Sequence, residues 1–589
     1  MLQKRLLALA GAFAIFAAAC GGSQATTAPA SGASEQPSAG TSESAAPSSD
    51  LAAEQILHTD IQGEPPTLDP SKAQDSNSIT VLYALHRPLV YIDKDLKIVP
   101  SLAEKWDVSS DAKTITFHLR DAKYSNGDPI VAGDLVYSWK RLIDPRTAAP
   151  YNYVMAEVAG ADKLLGMDPK KLPSDAEIDK DVDALGVAAP DDKTFVVTFS
   201  TPATYFLSVA TLWVTVPIQE KWITAKNATE AANYVSSGPF KLDTWDHNSE
   251  IVLKPNENWY GDVKPTLTEI HMAMSPEPAQ AMAAYEAGEI DTFLPVPAED
   301  VERVKNDPNL NPGYSELPGL SITYYTFNNG NDPTGKKPLE RCTKSKSACP
   351  TANKNFRIAL TEAIDKQAFI DATFNGLGQV ANEMVMPGLP GYDESINPYP
   401  FNLDKAKADM TTALSELGVS SAADLGKLKF GFNSGAGHEP RVAFLAEAWR
   451  QAFGLETDQI GTDFSVFLTQ RTAGEYDIAR DGWGADYPHA NNQLAGLFTC
   501  GGGNNDDQYC NPAFDDLINK AAVEPDQAKQ ADLYVQAQKI LTDDAGFLPL
   551  RFAVTPQLVQ PYVKDLVSSP LDSQAPGERF WETIKIAQH

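Results

Sequence analysis

Apolar and polar positions alternate over short runs in some parts of this chain and recur at helical spacing in others. The runs Thr114-Ile115-Thr116-Phe117-His118-Leu119 and Thr194-Phe195-Val196-Val197-Thr198-Phe199 are rich in β-branched and aromatic residues and are bounded by Asp, Lys and Pro. Each predicts a strand. Residues 356–374 and 441–453 instead carry apolar side chains one helical turn apart, which predicts helices. The two kinds of element interleave rather than segregate, so the expected fold class is mixed α/β. No unit of about 20–50 residues repeats, which argues against a solenoid or a propeller.

One segment combines a strand-like pattern with chemistry. Tyr476-Asp477-Ile478-Ala479-Arg480-Asp481-Gly482-Trp483-Gly484-Ala485-Asp486-Tyr487 sets a cation and a carboxylate six residues apart around two glycines and an indole. In an extended run, even-spaced side chains share a face, and Arg480 and Asp486 would stand roughly 20 Å apart at most. An extended peptide of ~4–6 residues has a similar length. Gly482 and Gly484 would let a ligand backbone come close, since neither carries a side chain. The segment therefore suits a zwitterion, although an ordinary buried strand with charged ends has the same pattern.

Composition changes the picture at the ends and in the charge balance. Lys4 and Arg5 precede the apolar residues 6–19, which close on Ala17-Ala18-Ala19-Cys20-Gly21-Gly22. This is the layout of an export signal over residues 1–19, too short to span a bilayer. The cysteine after small residues resembles a bacterial lipobox, in which that thiol is lipidated; a plain secretory signal is the other reading. Residues 23–50 are almost entirely Ser, Ala, Gly, Thr, Pro, Gln and Glu, a composition that predicts a tether over 20–53. The rest of the 589 residues is long enough for two or three cores, and no later segment is apolar enough to span a membrane. A net charge of −30 argues against a nucleic-acid partner. Cys342, Cys349, Cys500 and Cys510 suggest two disulfides in an exported chain, and 342 with 349 and 500 with 510 is the simplest of three connectivities. Zinc would need four convergent ligands, and no CxxC is present.

Enzyme signatures are missing. There is no G-x-S-x-G elbow, no H-E-x-x-H and no phosphate-binding loop, and the eight histidines lie scattered without metal-ligand spacing. No catalytic residue, cofactor or metal is expected.

A set of motifs in one order resembles the peptide and oligopeptide substrate-binding proteins of ABC importers. They are Glu64-Pro65-Pro66-Thr67-Leu68-Asp69-Pro70, Pro100-Ser101-Leu102-Ala103, Ser125-Asn126-Gly127-Asp128-Pro129, Ser237-Gly238-Pro239-Phe240, Asn258-Trp259-Tyr260-Gly261, Gly288-Glu289-Ile290-Asp291, Ala363-Ile364-Asp365-Lys366 and Tyr509-Cys510-Asn511-Pro512-Ala513-Phe514-Asp515. The resemblance implies a two-lobed, type II periplasmic-binding-protein-like fold with mixed sheets and an extra subdomain in the N-terminal lobe. Lobe I is expected over 54–76, 187–316 and 556–589, its extra subdomain over 77–186, and lobe II over 317–555. It also implies a monomer, with a peptide held between the lobes and delivered to a permease. A peptide sensor, or a binder of an oligosaccharide or metal chelate, is the alternative on the same scaffold.

The resemblance assigns roles residue by residue. Asp486, in the Trp-x-Ala-Asp-Tyr motif, matches the aspartate that pairs with a peptide α-ammonium, and Arg480 matches an arginine that can meet the carboxylate. A planar guanidinium suits that task through paired, charge-assisted hydrogen bonds. His438 aligns with a histidine near the ligand's C-terminal end in some relatives. Phe374 departs from the pattern, since some relatives have a lysine there and an apolar ring cannot hold a carboxylate. Backbone pairing is expected on one side at Gly482 and Gly484, and on the other at Gln62-Gly63-Glu64-Pro65-Pro66. There, the prolines leave only the Gly63 and Glu64 amides to donate. Tyr153, Phe464, Trp483 and Tyr487 are candidates to line side-chain pockets, or equally to pack in a core.

Overall fold

The computed structural model describes residues 50–168, 170–275, 277–331, 339–434, 437–485, 487–502 and 504–589, without the side chains of Phe464 and Ser465. Cys20, the signal, all but the end of the expected tether, and Asp486 lie outside the described residues.

Asp50–His589 is built around one mixed sheet of eleven strands. Its order is Thr457–Thr462, Leu428–Asn433, Ile478–Gly484, Tyr314–Phe327, Phe547–Val559, Thr292–Phe293, Ile56–Asp60, Glu269–Ala273, Glu250–Pro255 and Phe240–Asp246, with Gln379–Val380 added to Phe547–Val559. The two long central strands pair antiparallel from Tyr314 opposite Leu558 to Thr326 opposite Phe547. They cross from one half of the sheet to the other. Their register breaks between Pro318 and Ile322, where a proline without an N–H and Gly319 interrupt the ladder.

Each half has its own core. Leu57, Phe240, Ile251 and Ile270 belong to one apolar cluster, whereas Tyr325, Phe430, Trp449 and Leu548 belong to another and Tyr324, Leu494, Phe498 and Phe552 to a third. The second and third clusters draw on Tyr325 and Tyr324, neighbours in an extended strand and so on opposite faces of the sheet. These clusters, each drawn mainly from one half although Ile92 and Leu96 join the third, mark two lobes, and the mixed α/β class follows from helices covering mixed strands.

A second sheet of four antiparallel strands belongs to the first lobe, in the order Ala103–Val108, Thr114–Leu119, Thr194–Thr198 and Val187–Asp191. The helix Ala132–Ile143 covers it, burying Leu135, Trp139 and Leu142. Trp139 meets Phe195 edge-on at 4.9 Å and donates through Nε1 to the Thr215 carbonyl at 3.0 Å. Strands from both sides of position 186 thus share this sheet.

The expected helix over 356–374 is two helices, Lys354–Glu362 and Lys366–Phe374. Asp365 caps the second, its carboxylate accepting from the Ala368 N–H. An N-cap ends one helix register and begins another, although the apolar spacing runs through it. The helix predicted at 441–453 begins slightly earlier, spanning Glu439–Phe453 with Pro440 in its first turn.

Candidate ligand-binding cleft

Ile478–Gly484 lies between two strands that treat it differently. Tyr314–Phe327 pairs with all of it, from Phe327 opposite Ile478 to Ser321 opposite Gly484, while Leu428–Asn433 pairs only at Ile478 and Ala479. From Arg480 onward one edge of the strand has no partner strand among the described residues. The Ala485 N–H donates to the Leu320 carbonyl at 2.9 Å. Antiparallel alternation then turns the amides of Gly482 and Gly484 toward the open edge. The Gly482 N–H is held by its neighbour, donating to Asp481 Oδ1 at 2.8 Å. A Cβ added at Gly484 would meet nothing within 4 Å, which leaves that stretch open to an approaching backbone.

The charged residues of the strand separate onto its two faces. Arg480 stands opposite Tyr325, donates through Nε to Asn433 Oδ1 at 2.6 Å, and lies over the Phe467 ring at 5.1 Å. Burial lowers its pKa, with Asp481 opposing. Asp481, on the other face, accepts from Tyr324 Oη at 2.9 Å and pairs with Arg471 at 2.6 Å. Arg471 also pairs with Asp506 at 2.6 Å. Burial raises the carboxyl pKa of Asp506 against the pull of Arg471, and that of the enclosed Asp507 far more.

A cleft of about 750 Å³ opens beside the strand, and residues of both lobes line it. Tyr153 and Tyr205 come from the first lobe, and Trp483, Tyr487, Asn491 and Asn492 from the second. Trp483 Nε1 donates to Asn492 Oδ1 at 2.7 Å, and the Tyr487 hydroxyl donates to Asn491 Oδ1 at 2.9 Å. Tyr205 and Tyr487 stack across the lobes with centroids 5.8 Å apart. A smaller pocket of about 120 Å³, lined by Arg471, Arg480, Gly482, Trp483 and Asn504, adjoins the strand.

Other sequence candidates are placed as follows. Phe464 begins the helix Phe464–Thr472, its side chain lying outside the described residues. The Gly63 N–H donates to the Ile61 carbonyl at 2.8 Å and is therefore engaged within the chain. The Glu64 carboxylate meets His247 Nδ1 at 2.6 Å and accepts from the Asn248 N–H at 2.8 Å. His438 precedes the helix Glu439–Phe453 and lies 3.3 Å from Arg441; its pKa falls to about 4 through burial and the nearby Arg480 and Arg441. Disulfides join Cys342 to Cys349 and Cys500 to Cys510. Tyr205, Asn491, Asn492 and Arg471 were missed in the sequence, where single polar or aromatic residues carry no periodic signal.

The sequence profile of the bacterial extracellular solute-binding proteins, family 5 (middle region), matches residues 97–505. The chain belongs to this family. Among family 5 relatives, the oligopeptide-binding protein OppA of Bacillus subtilis is 31% identical over 508 residues, covering 84% of this chain and 87% of its own. A solved structure of the periplasmic murein tripeptide-binding protein MppA, in an unliganded open form, superposes with a TM-score of 0.78 at 26% identity, covering 92% of this chain and 99% of that one. Haemophilus influenzae OppA in complex with the peptide RPPGFSPFR gives a TM-score of 0.62 at 28% identity, covering 91% and 100%. The two-lobed architecture of family 5 is thus that of this chain.

Proposed function

We propose that this family 5 protein captures peptides between its lobes outside the cytoplasm and delivers them to the permease of an ABC importer, without covalent chemistry on the ligand. The observation that carries the reading is the open strand edge from Arg480 to Gly484, beside a cleft lined from both lobes. An extended peptide can add to such an edge through main-chain hydrogen bonds, which do not depend on side-chain identity. Arg480 takes a ligand carboxylate and Asp486 the α-ammonium, because a buried, unpaired ligand charge costs several kcal/mol. Names of relatives that refer to oligopeptides and to a murein tripeptide support this class of ligand. The better superposition on the unliganded open relative supports an open state here, so that ligand would draw the lobes together by its greater affinity for the closed form. Lobe I (54–76, 187–316 and 556–589) and lobe II (317–555) would move about the register break near Pro318. A lipidated Cys20 would hold the protein at the membrane through buried acyl chains.

The test is mass spectrometry of small molecules released on denaturing the purified protein, followed by small-angle scattering with and without an identified ligand. Peptides and a smaller radius of gyration are expected; sugars or chelates in their place, cleavage of added peptide, or an unchanged radius would overturn the reading. Asp486→Asn should weaken free-amine peptides far more than N-acetylated ones by calorimetry, and equal losses would remove Asp486 from its role.

A further inference from the structure

Beside Arg480 lies a second group of cations that the peptide reading does not use. Phe374 ends the helix Lys366–Phe374, and two guanidinium carbons stand over its ring, that of Arg441 at 4.1 Å and that of Arg551 at 4.0 Å from the centroid. The three residues come from a helix end, the first turn of Glu439–Phe453 and the central strand Phe547–Val559. Arg551 is steered there. A register shift puts Leu550 into the strand as an extra residue and brings Arg551, in its place, opposite Thr323. Arg551 Nε donates to the Leu377 carbonyl at 2.6 Å, and its stem fills the space beside Gly378, where an added Cβ would lie 2.5 Å from Nε.

The other donors here are underused. Arg441 Nε and the Tyr325 hydroxyl are buried without a hydrogen-bond partner among the described residues, and Tyr325 is 1% exposed. The field of both Arg441 and Arg480 reaches that hydroxyl. Among the described residues no carboxylate acts on either Arg441 or Arg551; burial lowers both, Arg551 to about 10 with Arg441 adding to the effect. Elsewhere Arg87 pairs with Glu582, Arg141 with Asp69, and Arg471 with two aspartates. In a chain with 78 acidic and 48 basic residues, two half-buried arginines without a carboxylate partner among the described residues point to a countercharge supplied by the ligand.

We propose that Arg441 and Arg551, held over Phe374 with the Tyr325 hydroxyl nearby, form an anion subsite that selects peptides carrying a carboxylate side chain in addition to the α-carboxylate. The inference rests on the peptide reading and deepens it. An aromatic ring cannot bind a carboxylate, but here it orients two groups that can.

The experiment uses the full-length protein freed of endogenous ligand and a series of alanine tetrapeptides with free termini, in which Glu or its neutral isostere Gln occupies each position in turn. At one position at least, wild type should bind the Glu peptide about tenfold more tightly than its Gln partner by calorimetry. The ratio should fall toward one in Arg441→Met and in Arg551→Met, and Arg551→Lys should keep part of it. Reading the ratio within each protein cancels any general loss of affinity. Tetrapeptides that bind with a wild-type ratio of one at every position would overturn the subsite and leave the peptide reading standing. A ratio that survives both methionine variants would also overturn it. Absence of binding by any tetrapeptide in the series would overturn the subsite, while the peptide reading is decided by the released ligands.

Discussion

Arg471→Met should destabilise the second lobe by an amount that depends on pH. In the wild type, Arg471 pairs at 2.6 Å with both Asp481 and Asp506, and the three side chains are only 13%, 8% and 8% exposed. Methionine keeps much of the volume but leaves two buried carboxylates, with Asp507 nearby, without their cation. Removing one partner from a buried ion pair costs about 3–5 kcal/mol. With an unfolding entropy of about 2.1 cal/mol/K per residue over a body of this size, that is a fall in Tm of about 3–4 °C. The pH dependence separates this cause from simple repacking. The Asp506 carboxyl is already raised by burial, with Arg471 opposing, so losing Arg471 raises it further. A carboxyl whose folded pKa lies above its unfolded value of about 3.9 contributes stability below the unfolded value and loses it as pH rises through the folded one. The deficit of the variant should therefore be small near pH 4 and complete at pH 8. Thermal melts of both proteins at several pH values give the answer. A deficit equal at all pH values, or under about 1 °C at pH 8, would refute the electrostatic account.

Two further predictions follow from the same region. With its pKa lowered to about 4, His438 should show a flat ring-proton shift from about pH 5.5 to 8 in the ligand-free protein, and an NMR midpoint near 6.5 would contradict its placement. Replacing Cys500 and Cys510 together by alanine opens a loop of ten residues that carries Asn504 and Asp506, and should cost about 2–3 kcal/mol in denaturant unfolding; an unchanged midpoint and slope would show that the loop is held by its other bonds.

The strand at the centre of the site was legible because its signal is local. Apolar residues, two glycines and an arginine at even spacing predict an extended segment with Arg480, Gly482 and Gly484 on one face, and Ile478–Gly484 is that strand. What that strand faces depends on elements distant in sequence. Arg551 reaches Phe374 through one extra residue in a strand, and a one-residue shift leaves no trace in a hydrophobic pattern. The long strand Tyr314–Phe327 was not predicted, and its ladder breaks in register after Pro318, where no simple alternation runs through. The spacing over 356–374 stays helical through Asp365 because both helices bury the same kind of face, so periodicity alone gave no warning of the cap. The engagement of Gly63 within its own turn is a hydrogen-bond detail to which side-chain patterns are blind.

The continuity of the eleven-stranded sheet sets how this protein comes apart. Lobes joined by a tether can melt separately, each with complete edges of its own. Here the two halves have the strands Tyr314–Phe327 and Phe547–Val559 in common, so a chain cut at the crossing would leave each half with exposed ladder edges. Calorimetry should accordingly record one cooperative transition, and limited proteolysis should release no stable half. The proposed opening and closing would therefore have to be a twist within two paired strands, and the integrity of each lobe depends on the other.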